Sequence, residues 1–242
     1  MNKLFLFFLF ITGLFSLYSH ASVVIMGTRV IYPEGQRSIN VRLSNDELSP
    51  SLVQSWMDTG DVSASPDSVN VPFIITPPVF RIEPHTGQTL RIIYTGEKLP
   101  HDRESLFWLN VLDIPAKPQK NNETAPGNYL QLAVRSRIKF FFRPSGLKTT
   151  PTEAYEKVEW RQEVGNSASL LRVYNHSPYF ITYNQINIEK QDNIMRNRKG
   201  GMIAPYSSKT FPMNRKVSPG AQIMWSAIND YGGYVTGKAI IK

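Results

Sequence analysis

Apolar and polar side chains alternate with period two along most of this chain, and proline or glycine breaks the pattern about every eight to twelve residues. Ile39, Val41 and Leu43 alternate with Asn40 and Arg42, and Leu90, Ile92 and Tyr94 alternate with Arg91 and Ile93. Residues 23–31, 52–57, 71–75 and 106–114 read as further strands. No segment carries a helical face with caps at both ends. Short strands at this spacing predict an all-β sandwich or barrel.

At 144–151 (PSGLKTTP) the pattern resets, and a second series follows at 158–164, 170–174, 179–188, 208–211, 222–228 and 234–241. The expectation is two sandwiches joined by a short, stiff linker, with a cleft between them. Residues 1–21 stand apart from both. Lys3 is a basic n-region, 4–17 is an apolar h-region, and Ser19-His20-Ala21 is a small-x-small cleavage site. The sequence therefore predicts a signal peptide cleaved after Ala21, a first domain over 22–145 and a second over 146–242. The apolar run is short for a spanning helix and nothing like it recurs, so membrane insertion is not expected.

Several chemistries lack their residues. With no cysteine, neither disulfides nor thiol catalysis is available. His85, His101 and His176 are far apart, each near a turn, and lack metal-ligand spacing. Glu153, Glu156 and Glu159 have helical spacing but no partner acid or base, and read as a solvated face. GGYVTGK (232–238) begins like a phosphate loop, but Ala239 replaces the expected Ser or Thr and no helix follows. Neither enzymatic activity nor a cofactor is expected. The chain has 27 Lys+Arg against 19 Asp+Glu, and loss of Lys3 leaves +7. These charges are scattered along strands, which argues against nucleic acid and for acidic protein partners.

Six blocks, in order, resemble the periplasmic pilus-assembly chaperones of the chaperone–usher pathway, the PapD-like family. They are GTRVIYP (27–33), TPPVFRIEP (76–84), LPHDRESLFWLNVLDIP (99–115), SRIKFFFRP (136–144), NHSPYFIT (175–182) and INDYGG (228–233). The resemblance implies two immunoglobulin-like domains set in an L. It also implies a periplasmic chaperone that completes pilus subunits by donor-strand complementation, a recognised form of β-strand addition, and passes them to an outer-membrane usher. It places the donor strand at Asn128, Leu130, Leu132 and Val134, the anchor for the subunit's C-terminal carboxylate at Arg29 and Lys139, and an interdomain salt-bridge cluster at Glu104, Arg143 and Asp230. Family members with a long loop before the donor strand carry a cysteine pair there. This chain has none, and its polar segment 116–128 is of intermediate length, which inclines it to the short-loop subfamily.

Parity poses a difficulty. Leu130, Leu132 and Val134 are even-numbered and Lys139 is odd-numbered, so a regular strand sends them to opposite faces. For both to meet one subunit, a twist or bulge between Arg135 and Lys139 is expected. A secreted adhesin or carbohydrate-binding sandwich using aromatics such as Trp160 or Tyr231 is the competing reading. The isomer at Thr76-Pro77 and self-association of the free chain stay open.

Overall fold

The structure is a computed structural model that describes residues 23–117, 130–164, 169–190, 193–197, 200–213 and 218–242. The expected signal peptide, Asn128 and most of the polar segment 116–128 lie outside the described residues.

In the first half, β1 (Val24–Ile25), β3 (Ile39–Ser44), β7 (Gly87–Tyr94) and β5 (Phe73–Thr76) form one sheet in the order β1-β3-β7-β5. The facing sheet has the order β2-β9-β8-β4-β6, from β2 (Arg29–Pro33), β9 (Val134–Arg143), β8 (Ser105–Pro115), β4 (Ser51–Asp58) and β6 (Val79–Ile82). Side chains alternate along these strands, so one face of each sheet turns inward. Leu43, Leu90, Ile92, Val53, Leu109, Phe140 and Phe142 fill the space between, with Tyr32 and Phe73 packed edge-to-face at 5.6 Å. The Thr76-Pro77 peptide is cis.

The second half repeats the scheme with its own core, centred on Trp160, Leu171, Tyr183, Ile186, Phe211 and Trp225. One sheet is β10 (Glu159–Val164), β11 (Ser169–Asn175) and β15 (Ser207–Met213). The other runs β13-β12-β16-β17, from β13 (Asn193–Asn197), β12 (Ile181–Lys190), β16 (Gln222–Ile228) and β17 (Tyr234–Ile240), and β14 (Gly201–Ile203) pairs with β12. GGYVTGK is thus a turn leading into an antiparallel strand.

Three expectations need correction. Residues 23–31 are not one strand: after β1 the chain turns at Gly27, at φ 120°, and β2 joins the opposite sheet. Glycine tolerates that left-handed backbone, which a side chain would strain. A helix was also missed, α1 (Pro151–Glu156), although its start is written in the sequence. The Thr150 side chain accepts from the Glu153 N–H, the Glu153 carboxylate accepts from the Thr150 N–H, and proline follows the cap. Finally, Trp160 is no surface aromatic: it is 2% exposed and packs on Tyr183 at 5.2 Å, whereas Tyr231 is 94% exposed.

Candidate functional site

The expected bulge is absent. β9 pairs with β8 in unbroken register, from Asp113↔Val134 through Val111↔Ser136 and Trp108↔Lys139 to Ser105↔Phe142. Even-numbered Ile138, Phe140 and Phe142 face the core, so odd-numbered Arg135, Arg137, Lys139, Phe141 and Arg143 share the outer face. This face is heavily charged yet mostly covered, and what lies beneath it carries no signal in the sequence. Asp58, fully buried, accepts from Arg137 Nε at 3.0 Å and from Asn110 Nδ2 at 2.8 Å, and Arg135 donates to Asn110 Oδ1. The Arg137 guanidinium lies 4.1 Å from the Trp108 ring and that of Arg135 lies 4.8 Å from Trp56. Burial alone would raise the Asp58 carboxyl, but Arg137, Asn110 and the Gly60 N–H hold it below its ordinary value. A bulge would break this alignment of arginines over tryptophans.

The way out of the parity problem is the other edge of β9. β2 runs parallel to β9 and pairs only with 139–143, starting at Arg29↔Lys139. Because the chain switches sheets at Gly27, residues 134–138 of β9 have no strand partner on that side among the described residues. Leu130 and Leu132 precede β9 in irregular backbone rather than in a strand, and they and Val134 are 82%, 63% and 46% exposed. An open groove of about 530 Å³ lies beside this edge, lined by Val23, Ile25, Gly27, Val134, Ser136 and Ile138 among others. A chain laid along an edge touches both faces of the strand it pairs with, so no bulge is needed for it to meet Val134 and Lys139 together.

At the end of that slot stand Arg29 and Lys139, side by side on neighbouring parallel strands about 4.8 Å apart. Lys139 Nζ donates to Thr182 Oγ1 at 3.1 Å, and Arg29 Nη1 donates to the Ile228 carbonyl at 2.9 Å, so the second half meets both cations. Neither contact supplies a negative charge. Arg29 Nε is buried without a hydrogen-bond partner among the described residues. Burial, with Arg29 and Lys209 nearby, brings Lys139 down to about 8. Burial also lowers Arg29, against the pull of Tyr155, Asp230 and Glu104. Thr182 and the Ile228 carbonyl were not legible as site groups, since a hydroxyl and a main-chain oxygen carry no motif of their own.

Beyond the cations, the two halves are joined around Arg143. Its Nη1 and Nη2 donate to Asp230 at 2.7 and 2.9 Å, and its Nε donates to Glu104 Oε1 at 2.8 Å. Glu104, buried, also accepts from the Phe180 N–H at 2.8 Å. Burial raises the Glu104 carboxyl, while Arg143 and that N–H pull against it. Phe141 packs on Phe180 at 5.5 Å beside this cluster. Glu104, Arg143 and Asp230 are thus brought together, as are Arg29 and Lys139; the described donor residues lead into the latter pair.

Comparison with known proteins agrees with this architecture. Residues 22–148 match the family described as pili and flagellar-assembly chaperone, PapD N-terminal domain, and residues 153–239 match pili assembly chaperone PapD, C-terminal domain. The chain is 44% identical over 228 residues to a probable fimbrial chaperone, YadV, of Escherichia coli strain K12, covering 93% of this chain and 92% of that one. It is 42% identical over 242 residues to the chaperone protein HifB of Haemophilus influenzae, covering 99% and 97%. Among solved structures, the YadV chaperone superposes with a TM-score of 0.77 at 41% identity, over 91% of this chain and all of that one. The Salmonella enterica SafB chaperone, solved in complex with the SafA pilin, gives 0.72 at 31% identity, over 93% of this chain and 97% of the matched chain. With both domains matched and relatives this similar over nearly its whole length, the chain belongs to the PapD-like family of pilus-assembly chaperones, two immunoglobulin-like sandwiches serving fimbrial assembly.

Proposed function

We propose that this chaperone holds a pilus subunit by lending it the edge of β9. Leu130, Leu132 and Val134, with Asn128 ahead of them, enter the subunit's groove, and Arg29 and Lys139 take its C-terminal carboxylate. The observation that carries this reading is the edge at 134–138, open among the described residues, which runs straight into the start of β2 at two cations that have no ion-pair partner among those residues. The direction of the bound strand follows from charge. A strand in line with β2 and parallel to β9 ends where β2 begins, bringing its carboxylate to Arg29 and Lys139. An antiparallel strand would bring an ammonium group, or uncharged backbone, to the same cations. An arginine fork beside a lysine point charge suits a carboxylate.

Glu104, Arg143 and Asp230 act as the brace that keeps the two anchoring strands and the second domain in register. The domains meet between 145 and 146, the leader 1–21 is removed, and the mature chain works in the periplasm without enzymatic chemistry. The subunit leaves by strand exchange at an outer-membrane usher. Co-expression of the chain with candidate subunits in a periplasm tests the reading. A one-to-one complex should be recovered with the wild type and lost with folded Lys139→Ala or Arg29→Ala variants. Undiminished recovery with either variant overturns the anchor.

A further inference from the structure

A third cation faces the same cleft. Lys209, exposed on β15, donates from Nζ to the Met202 carbonyl at 3.3 Å. Met202 on β14 is the direct cross-strand partner of Thr182 on β12, and Thr182 is the residue that receives Lys139. The two ammonium groups therefore bracket a single cross-strand pair, whose Cα atoms lie about 5 Å apart. They arrive from different domains. Lys209 reaches this position because the intervening residue is glycine: a Cβ at Gly201 would sit 2.9 Å from its Nζ and 3.0 Å from the Phe211 ring that lies beneath its side chain. Like Arg29 and Lys139, Lys209 forms no ion pair among the described residues, whereas Arg135, Arg137 and Arg143 all do. The presence of Lys209 is also felt at Lys139, which it helps to lower.

Three neighbouring cations exceed what one carboxylate neutralises. We infer that Lys209 reads an acidic side chain in the last three residues of the bound subunit strand, so that the cleft selects strands with a second negative charge next to the terminal carboxylate. The inference rests on the carboxylate anchor proposed above. Lys209 is exposed, so its attraction is screened by salt and small.

The test separates the two claims. Synthetic strand peptides of alternating valine and threonine are titrated into the full chain, with a free or amidated terminus and with Glu or Gln at the last, second-last or third-last position. The wild type should prefer one Glu peptide over its Gln counterpart by about twofold to fivefold, the range of an exposed ion pair. Lys209→Gln should lose that preference, Lys209→Arg should keep it, and both should discriminate against the amidated terminus as the wild type does. Carboxylate-dependent binding without Glu preference, or a preference that survives Lys209→Gln, overturns the role of Lys209 alone. If no peptide binds, or the amidated one binds equally, the anchor fails and takes this inference with it.

Discussion

At the scale of single residues, Lys139 gives the sharpest expectations. Removing either anchoring cation leaves the incoming carboxylate half-paired in a partly buried site, so Arg29→Ala or Lys139→Ala should cost about 2–5 kcal/mol of subunit affinity, read by calorimetry. The pH dependence has two opposite signs. Free Lys139 titrates at about 8, below the ordinary lysine value of 10.5. Between those values the unfolded chain keeps a proton that the folded chain has shed, so the free chaperone gains stability as pH rises through that window. A bound carboxylate favours the charged lysine, so affinity for the subunit should instead fall above pH 8, by up to about tenfold per unit. Affinity that stays flat from pH 7 to 10 would remove Lys139 from the anchor.

At the scale of elements, β9 carries three environments along its ten residues, and Asp58 fixes the first of them. Asp58→Ala would leave Arg135 and Arg137 beside Asn110 with no carboxylate, and should cost about 2–4 kcal/mol of stability in denaturant titrations. Because its carboxyl is depressed in the folded chain, the stability Asp58 contributes is present above the ordinary aspartate range near 3.8 and is lost as pH falls below it. The element also shows how far sequence reading reaches. Strand alternation gave the core face of β9, since Phe140 and Phe142 could go nowhere else in a sandwich. What covers the charged face could not be read, because pairing with Asp58, 79 positions away, leaves no local trace. The bulge was expected for the same reason: parity describes faces and is silent about edges. What opens the edge is the sheet switch at Gly27, and one glycine inside an apolar run does not announce which sheet each half will join.

At the scale of the whole molecule, one arginine ties the two sandwiches. Arg143→Ala leaves Glu104 buried beside the Phe180 N–H without a cation, and should weaken the domain contact by about 3 kcal/mol. Small-angle scattering should then show a broader spread of domain angles, while Arg143→Ala combined with Glu104→Gln should recover part of the loss. An unchanged scattering profile would mean that the packing of Phe141 on Phe180 sets the angle instead. The two-domain layout was legible because the proline-bounded reset at 144–151 is long enough to interrupt the alternation. Helix α1 at its far end was not, being a single capped turn or so. The open slot beside β9, from Val134 to Ile138, is about 16 Å of strand, closed at one end by Arg29 and Lys139. A slot shut at one end works as a ruler. It counts residues back from the carboxyl end of whatever occupies it, and a two-residue repeat gives that count a parity. A subunit lengthened by one C-terminal residue should therefore present its polar side chains where its apolar ones belong and bind poorly, and one lengthened by two should come back into phase.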